Sequence, residues 1–183
     1  MPPEGLRPGA YFETGLELLA ERGFRGLTIA ALCERLGVTK GSFYHHFSDM
    51  AEFVDQLLEH WAREHASRLI ALSESVTDPT ERYDLLEGIA VGLPHGAEAA
   101  IRAWSWTNEA VASAQRKVDA MRLDHLTTSG VEAGESPERA RLMALISLGT
   151  LVGLQQLERP PSVESMRQVF AELRSWVRAD TGA

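Results

Sequence analysis

The sequence predicts an all-α fold, on two observations. Apolar residues recur at intervals of three and four along most of the 183 residues, a pattern typical of amphipathic helices. Alternating runs rich in Val, Ile or Thr between turn residues, the usual signal of strands, are nearly absent. We expect about nine helices. They are divided between an N-terminal three-helix domain at residues 1–50 and a C-terminal helical domain at residues 51–183.

Residues 27–47 predict two short helices around a tight turn. Thr28 is a good N-cap for the first helix. Its apolar face consists of Ile29, Leu32, Cys33 and Leu36. Gly37 follows at the position where a left-handed residue commonly ends a helix, and Thr39 caps the next helix at once. A short turn containing glycine between two such helices indicates a helix-turn-helix.

The second helix of this pair carries a polar and aromatic outer face. Phe43 and Phe47 point to one side and predict the buried face. The opposite arc has no carboxylate before Asp49, which suits a surface that meets phosphates and base edges. A solvated surface helix is the alternative interpretation. The predicted DNA-contacting set is Thr28, Thr39, Lys40, Gly41, Ser42, Tyr44, His45 and His46.

Three segments at fixed mutual spacing carry a family resemblance. They are Glu21-Arg22-Gly23-Phe24, Gly26-Leu27-Thr28 and the run from Leu36 to Phe47. Together they make the stretch from Ala10 to Phe53 resemble the DNA-binding domain of the TetR family of transcriptional regulators. One position departs from the family pattern: Met50 stands where the family usually has a phosphate-contacting Lys. Lys40, Arg25 or a helix N-terminus would then replace that contact.

The charge of the chain argues against DNA binding by bulk positive charge. The formal net charge is −8, and residues 1–50 carry five basic and six acidic side chains. A nearly neutral reading surface predicts modest, salt-sensitive affinity that depends on a dimer and on specific contacts.

The remaining helices follow from stripes, caps and breaks in chain order. A first helix runs from Gly9 to Arg22 and packs on the helix-turn-helix. A long helix from Met50 to Ser73, capped by Ser48 or Asp49, links the two domains. Pro94-His95-Gly96 is expected to be a break, and Ser136 and Ser162 are expected to be N-caps. Between and after these points, the helices are predicted at 80–93, 97–108, 109–130, 138–157 and from 163 onward.

The predicted helix at 138–157 is apolar on almost every side, so it must be covered on all sides. We expect the last two helices to pair with a second copy in a four-helix interface, as the resemblance also implies. The alternative is that they close the core of one chain. The candidate interface residues are Leu145, Leu148, Gly149, Val152, Gly153, Met166, Phe170 and Leu173. A two-fold dimer would place its reading helices about 34–36 Å apart, which predicts a near-palindromic operator.

Aromatic, polarisable and titratable residues of the middle helices are candidates for lining a small-molecule pocket. They are Trp61, His65, Tyr83, His95, Trp104, Trp106, Met121 and His125. Ordinary core packing is the alternative for each of them. The resemblance implies an inducer that binds among these helices and shifts the long fourth helix. Such a shift depends on the inducer's differential affinity for two states.

The sequence indicates no catalytic site. The stretch Gly37–Ser42 fails the phosphate-loop pattern because no strand precedes it and Lys40 stands before its glycine. We expect neither a metal site nor a cofactor beyond a possible small-molecule effector. The single cysteine fits a reducing cytoplasm, and no apolar run approaches the ~20 residues of a membrane span.

The function predicted on these grounds is a ligand-responsive, homodimeric DNA-binding regulator, a repressor that an inducer releases from its operator. It is not expected to be an enzyme. The alternative is an all-α small-molecule-binding or interaction protein that has lost DNA readout.

Overall fold

The computed structural model describes residues 6–158 and 161–180. Within this part all regular structure is helical, which confirms the all-α prediction, and it contains ten α-helices rather than nine. The helices are α1 (Pro8–Arg22), α2 (Ile29–Leu36), α3 (Lys40–His46), α4 (Met50–Ala62), α5 (Arg68–Glu74), α6 (Pro79–Val91), α7 (His95–Ser105), α8 (Glu109–Glu132), α9 (Pro137–Leu157) and α10 (Val163–Asp180).

The chain divides into two compact units. The first contains the described residues up to Ala66 together with Gly96–Val118, and the second contains Ser67–His95 together with the described residues from Asp119 onward. The unit that holds the helix-turn-helix is therefore larger than residues 1–50, because it also includes α4, α7 and the first half of α8.

The helix-turn-helix forms with the predicted caps. The Thr28 hydroxyl accepts from the Ala31 amide, and the Thr39 hydroxyl accepts from the Ser42 amide. Gly37 ends α2 at φ 66° and ψ 31°, a left-handed conformation that glycine adopts without a Cβ clash. The Cys33 thiol is buried and donates to the Thr39 carbonyl at 3.5 Å, which ties α2 to the start of α3. Burial raises the pKa of this thiol, so it behaves as a small core residue.

An aromatic core joins α1, α3 and α4. Phe43, Phe47 and Phe53 are each at most 1% exposed. Their ring centroids lie 5.1–5.7 Å apart in tilted and edge-on pairs, as aromatic rings prefer. The predicted buried side of α3 is therefore confirmed, and its outer arc is left to solvent.

The predicted long helix from Met50 to Ser73 is one helical run with a π-helical turn inside it. The turn covers Arg63–Ser67, between α4 and α5. The boundary between the two compact units falls within this turn, at Ala66 and Ser67. Single π turns inside helices are frequent at functional positions.

The expected break at Pro94-His95-Gly96 was placed too far along the chain. Helix α6 already ends at Val91, and α7 begins at His95. The reason is that Gly92 ends α6, and Pro94 stands immediately before the first residue of α7.

The second unit has its own apolar core. Buried Val91, Leu93 and Leu151 pack with Met166 and Phe170, and Leu148 and Leu173 contact this cluster. Met166 and Phe170, expected on an outward interface, thus lie inside one chain. The 3.6-residue period that places them on the apolar stripe of α10 does not say which neighbour the stripe meets.

Helix α9 begins one residue before the apolar helix predicted at 138–157 and ends where that helix was expected to end. Over its 21 residues it satisfies the length and composition of a membrane-crossing helix, so the expectation that no segment approaches that length is wrong. Such a match is weak evidence for a membrane, because core helices of soluble proteins meet the same criteria. Only 22% of its apolar window is buried within this chain.

Candidate DNA-binding surface

The outer face of α3 presents a short row of polar and aromatic side chains. Lys40, Gly41 and His45 are exposed, and Tyr44 is 55% exposed with its ring edge against Phe43. Ser42 and His46 are partly covered. Because Phe43 and Phe47 are buried on the opposite side, the exposed arc is fixed in orientation and can present hydrogen-bond donors to a groove of DNA.

Thr28 and Thr39 stand at the N-termini of α2 and α3 and are both exposed. Each hydroxyl oxygen already accepts a backbone N–H, at 3.2 Å and 3.3 Å respectively. The hydroxyl hydrogen of each remains available as a donor, which is the polarity a phosphate oxygen requires.

The position of Ser42 depends on a residue of α1. The Tyr11 hydroxyl lies 2.8 Å from the Ser42 hydroxyl, and Tyr11 is fully buried. The Tyr11 ring meets the rings of Phe43, His46 and Phe47 edge-on, at centroid distances of 5.5–6.1 Å. Helix α1 therefore supports the reading helix by both packing and a hydrogen bond.

The basic side chains of this unit differ in availability. Arg35 makes two hydrogen bonds to the Glu21 carboxylate, at 2.9 and 2.5 Å, and is close to Glu17. The Glu21 partner raises the pKa of Arg35, and Arg35 lowers the pKa of Glu21. Arg25 lies over the Phe24 ring at 5.9 Å, and both Arg25 and Lys40 are exposed. Lys40 and Arg25 are thus the better candidates for phosphate contacts.

The N-terminus of α4 is occupied by the protein's own carboxylates. Asp49 Oδ1 accepts from the Glu52 amide at 2.9 Å, and Glu52 Oε2 accepts from the Ser48 amide at 2.7 Å. The hydrogen bonds from Ser48 lower the pKa of Glu52, so this carboxylate is ionised at neutral pH. Two negative charges beside Met50 disfavour the idea that this helix end replaces the missing lysine.

Four of the expected pocket residues lie in the first unit, and the three tryptophans among them have different surroundings. Trp61 is fully buried and donates to Glu98 Oε1 at 3.0 Å. Trp104 is half-buried and stacks on Phe24, with centroids 5.7 Å apart. Trp106 is 86% exposed, so these residues do not line one cavity.

The other four lie in the second unit, and two of them are buried histidines. His95 is buried, donates from Nε2 to the Val91 carbonyl at 3.1 Å and accepts from Gln155 Nε2 at 3.2 Å. His125 is also buried, and its Nε2 lies 2.6 Å from the Ser73 hydroxyl. The Ser73 hydrogen is used by the Ile70 carbonyl, so His125 is the donor to Ser73. The side chains of His65 and Tyr83 lie outside the described residues.

Met121 is the one expected pocket residue that lines a described groove. An open groove of about 520 Å³ is lined by Ala120, Met121, Leu123, Asp124 and Arg141, on α8 and α9. Met121 Sδ also accepts from the Ser67 hydroxyl at 3.5 Å. An Asp and an Arg beside apolar side chains would suit a small ligand with both polar and apolar parts.

Sequence reasoning missed the polar partners in the cores. Two of these partners are Tyr11, which contacts Ser42 on α3, and Glu98, which contacts Trp61 on α4. Tyr11 precedes Phe12 on α1, and its spacing to Leu18 could have placed it on the buried stripe. Glu98 is the one charged residue in the run Ala97–Ile101, the kind of isolated polar residue that needs a partner when buried.

The comparisons with known proteins agree with this geometry. The family model described as bacterial regulatory proteins, tetR family, matches residues 12–57, from α1 to within α4. The HTH-type transcriptional repressor KstR2 of Mycobacterium tuberculosis is 34% identical over 76 residues. That match covers 42% of this chain and only 38% of the repressor. The tetracycline repressor protein class C of Escherichia coli is 28% identical over 159 residues, covering 84% of this chain and 68% of that protein.

Solved structures show that the likeness of fold extends beyond the helix-turn-helix. A TetR transcription regulator from Haloarcula marismortui superposes with a TM-score of 0.72 at 19% identity, covering 91% of this chain and 95% of its own. A transcriptional regulator from Saccharomonospora viridis, solved in complex with choline, superposes with a TM-score of 0.70 at 19% identity, covering 90% and 93%. Together, the match of residues 12–57 to the tetR family model and the all-helical architecture shared with solved TetR regulators support a TetR family regulator.

Proposed function

We propose that this protein is a homodimeric transcriptional repressor that reads a near-palindromic operator through α3 and is released by a small molecule. The observation that carries the proposal is the outer face of α3. It is solvent-exposed, free of carboxylates and backed by an aromatic core. Relatives that share this segment are named repressors, which supports the direction of regulation.

An exposed apolar face supports the dimer. Leu142, Leu145 and Ile146 are 54%, 48% and 36% exposed on α9, at the spacing of one helix face. Gly149 continues that face, with nothing within 4 Å of a Cβ built there, so a second backbone could approach closely. Val169 and Trp176 are exposed on α10. The proposed interface therefore uses these residues and Gly153, and leaves Met166 and Phe170 to the core of each chain.

The effector is proposed to bind in the second unit. The groove beside Met121, Asp124 and Arg141 supports a ligand with a polar or charged group next to an apolar part. A structural neighbour crystallised with choline, a small cation with apolar methyl groups, is compatible with such chemistry. The π turn at Arg63–Ser67 lies in the helical run that leads from this unit to α4. We propose that this helical run transmits the conformational change caused by ligand binding.

A second candidate function has one observation in its favour. The carboxylates of Asp49 and Glu52 at the start of α4, together with the net charge of −8, would weaken attraction to DNA. A helical effector-binding or interaction protein without DNA readout would tolerate these charges.

The decisive experiment is a titration of the purified protein against the intergenic DNA upstream of its own gene. Specific retardation that weakens with rising salt, and that scrambled DNA of equal length does not give, supports the repressor. A folded dimer that retards neither duplex at low salt supports the second candidate.

Two substitutions test the assignment to α3. We expect Tyr44→Ala and Lys40→Ala to weaken operator binding without changing the dimer, because both side chains are exposed and neither supports the core. Lys117→Ala removes an exposed lysine of α8 and is the matched control. Unchanged affinity in both α3 variants would remove this helix from its assigned role.

A further inference from the structure

We propose that Tyr11, on α1, is a positioning residue for DNA readout. It fixes the hydrogen of the Ser42 hydroxyl, so that Ser42 meets the DNA as a hydrogen-bond donor. The inference rests on the proposed DNA-binding function and deepens it. It states that Ser42 on α3 donates a hydrogen bond to DNA and that Tyr11 positions Ser42 for this contact.

The first step is geometric. The two hydroxyl oxygens lie 2.8 Å apart, the usual length of an O–H···O bond. Tyr11 is 0% exposed, and edge-on contacts to Phe43, His46 and Phe47 hold its ring. The phenol therefore cannot turn away, and the bond sets the direction in which Ser42 points.

The second step is an account of the hydrogens. Each hydroxyl has one hydrogen, and Ser42 is the hydrogen-bond partner of Tyr11 among the described residues. If Ser42 donated to Tyr11, the phenolic hydrogen would be buried with no acceptor among the described residues, which is the less favourable arrangement. Tyr11 is consequently the donor and Ser42 the acceptor. The Ser42 hydrogen is then not used by Tyr11, and Ser42 is partly exposed on α3.

The third step concerns what such a donor recognises. In the major groove, the acceptors are N7 and O6 of guanine, N7 of adenine and O4 of thymine, while phosphate oxygens are acceptors on the backbone. Because Tyr11 already occupies one of the two acceptor sites of the Ser42 hydroxyl, Ser42 favours donation to these groups over acceptance from the amino groups of adenine or cytosine. Without Tyr11, both acceptor sites would be open to those amino groups.

The test uses a duplex that the wild-type protein selects from a random library, and Tyr11→Phe, Ser42→Ala and the double variant. Tyr11→Phe keeps the ring and removes only the hydroxyl. We expect each single variant to lose about three- to tenfold in affinity for the selected duplex, the scale of one hydrogen bond. The double variant should lose no more than Ser42→Ala alone, because both changes remove the same contact.

Three readouts separate this role from a purely structural one. The thermal midpoint of Tyr11→Phe should stay near that of the wild type, and so should its affinity for random-sequence DNA if the acceptor is a base. A repeat of the selection with Tyr11→Phe should relax preference at one base-pair step if the acceptor is a base. If the acceptor is a phosphate, it should leave the selected sequence unchanged. Ser175→Ala, which removes an exposed hydroxyl of α10, is the matched control and should bind as the wild type does.

The inference is overturned if Tyr11→Phe binds the selected duplex as tightly as the wild type, or if its loss adds to that of Ser42→Ala. It is also overturned if the thermal midpoint of Tyr11→Phe falls well below that of the wild type, since the role of Tyr11 would then be a purely structural one. Failure of the wild type to enrich any duplex is a different result, since it would reject the proposed DNA-binding function itself.

Discussion

The indole of Trp61 donates to Glu98 Oε1 at 3.0 Å, and both side chains are almost completely buried, at 0% and 2% exposure. Trp61 lies on α4, and three residues separate the start of α4 from the end of α3. Glu98 lies in the first turn of α7, where a carboxylate is favoured by the helix dipole. This bond therefore joins the helix that follows the reading head to a helix from the middle of the chain.

Substitution of Glu98 should reveal how much this buried bond contributes. Glu98→Ala leaves the indole N–H without this acceptor, so we expect a loss of about 1–3 kcal/mol in the free energy of unfolding, measured in urea. Glu98→Gln keeps an acceptor oxygen of similar shape and should cost clearly less. Equal losses in the two variants would mean that the oxygen bonded to Trp61 contributes little.

Gly96 should not accept a side chain, because α7 crosses α1 closely at this point. A Cβ built on Gly96 would lie 2.8 Å from the Ala20 Cβ and 3.3 Å from its Cα, so backbone would have to move. We expect Gly96→Ala to destabilise the protein by about 1–3 kcal/mol in urea unfolding. Gly88→Ala, on α6 with nothing within 4 Å, is the matched control and should be neutral or slightly stabilising. If both variants unfold alike, the close crossing does not limit this position.

Met50→Lys should strengthen DNA binding. It puts a positive charge beside the carboxylates of Asp49 and Glu52, at the start of the helix that follows the reading helix. One added phosphate contact steepens the slope of log K against log salt by about 1. Affinity for DNA measured over a range of KCl concentrations gives this slope. Ala171→Lys adds the same charge on exposed α10 and should leave the slope unchanged.

Leu145→Glu should convert the proposed dimer into a monomer. Leu145 is 48% exposed on the apolar face of α9, so the charge costs little in one chain and much in a dry interface. Sedimentation equilibrium gives the mass. Trp106→Glu changes an even more exposed apolar residue at the end of α7 and should remain dimeric. A Leu145→Glu protein that sediments as the wild type does would place the interface elsewhere.

The free energy of unfolding should fall as the pH is lowered, because His125 then takes up a proton more readily in the unfolded chain. Burial lowers the pKa of this histidine, although the nearby Glu74 carboxylate opposes the shift; Arg82 lowers it further, while Glu132 and Asp124 raise it. The unfolded chain thus binds the proton more readily than the folded one. The contribution of His125 to the free energy of unfolding is therefore complete above its pKa of about 6.5 in the unfolded chain, and it is lost as the pH falls below that value.

Urea unfolding at pH 7.5 and pH 5.5 measures this loss. The wild type should lose more free energy of unfolding between the two pH values than His125→Gln, which cannot titrate. Parallel losses in the two proteins would show that His125 does not cause the change.

Local sequence signals were sufficient to predict the helix-turn-helix. Thr28, Gly37 and Thr39 act through the backbone within three or four residues, so their cap geometry followed from their positions alone. The buried side of α3 followed from the spacing of Phe43 and Phe47 for the same reason.

Partners distant in the chain were decided by the tertiary structure. Periodicity places Met166 and Phe170 on an apolar stripe but does not distinguish the core of one chain from a contact with a second copy. The bonds from Tyr11 to Ser42 and from Trp61 to Glu98 join residues 31 and 37 positions apart. A hydrogen bond forms only when packing brings two side chains within about 3 Å, and no local pattern encodes that meeting. The sequence by itself determined the helix-turn-helix and the polar outer face of α3; the packing of the helices determined what holds α3 in place.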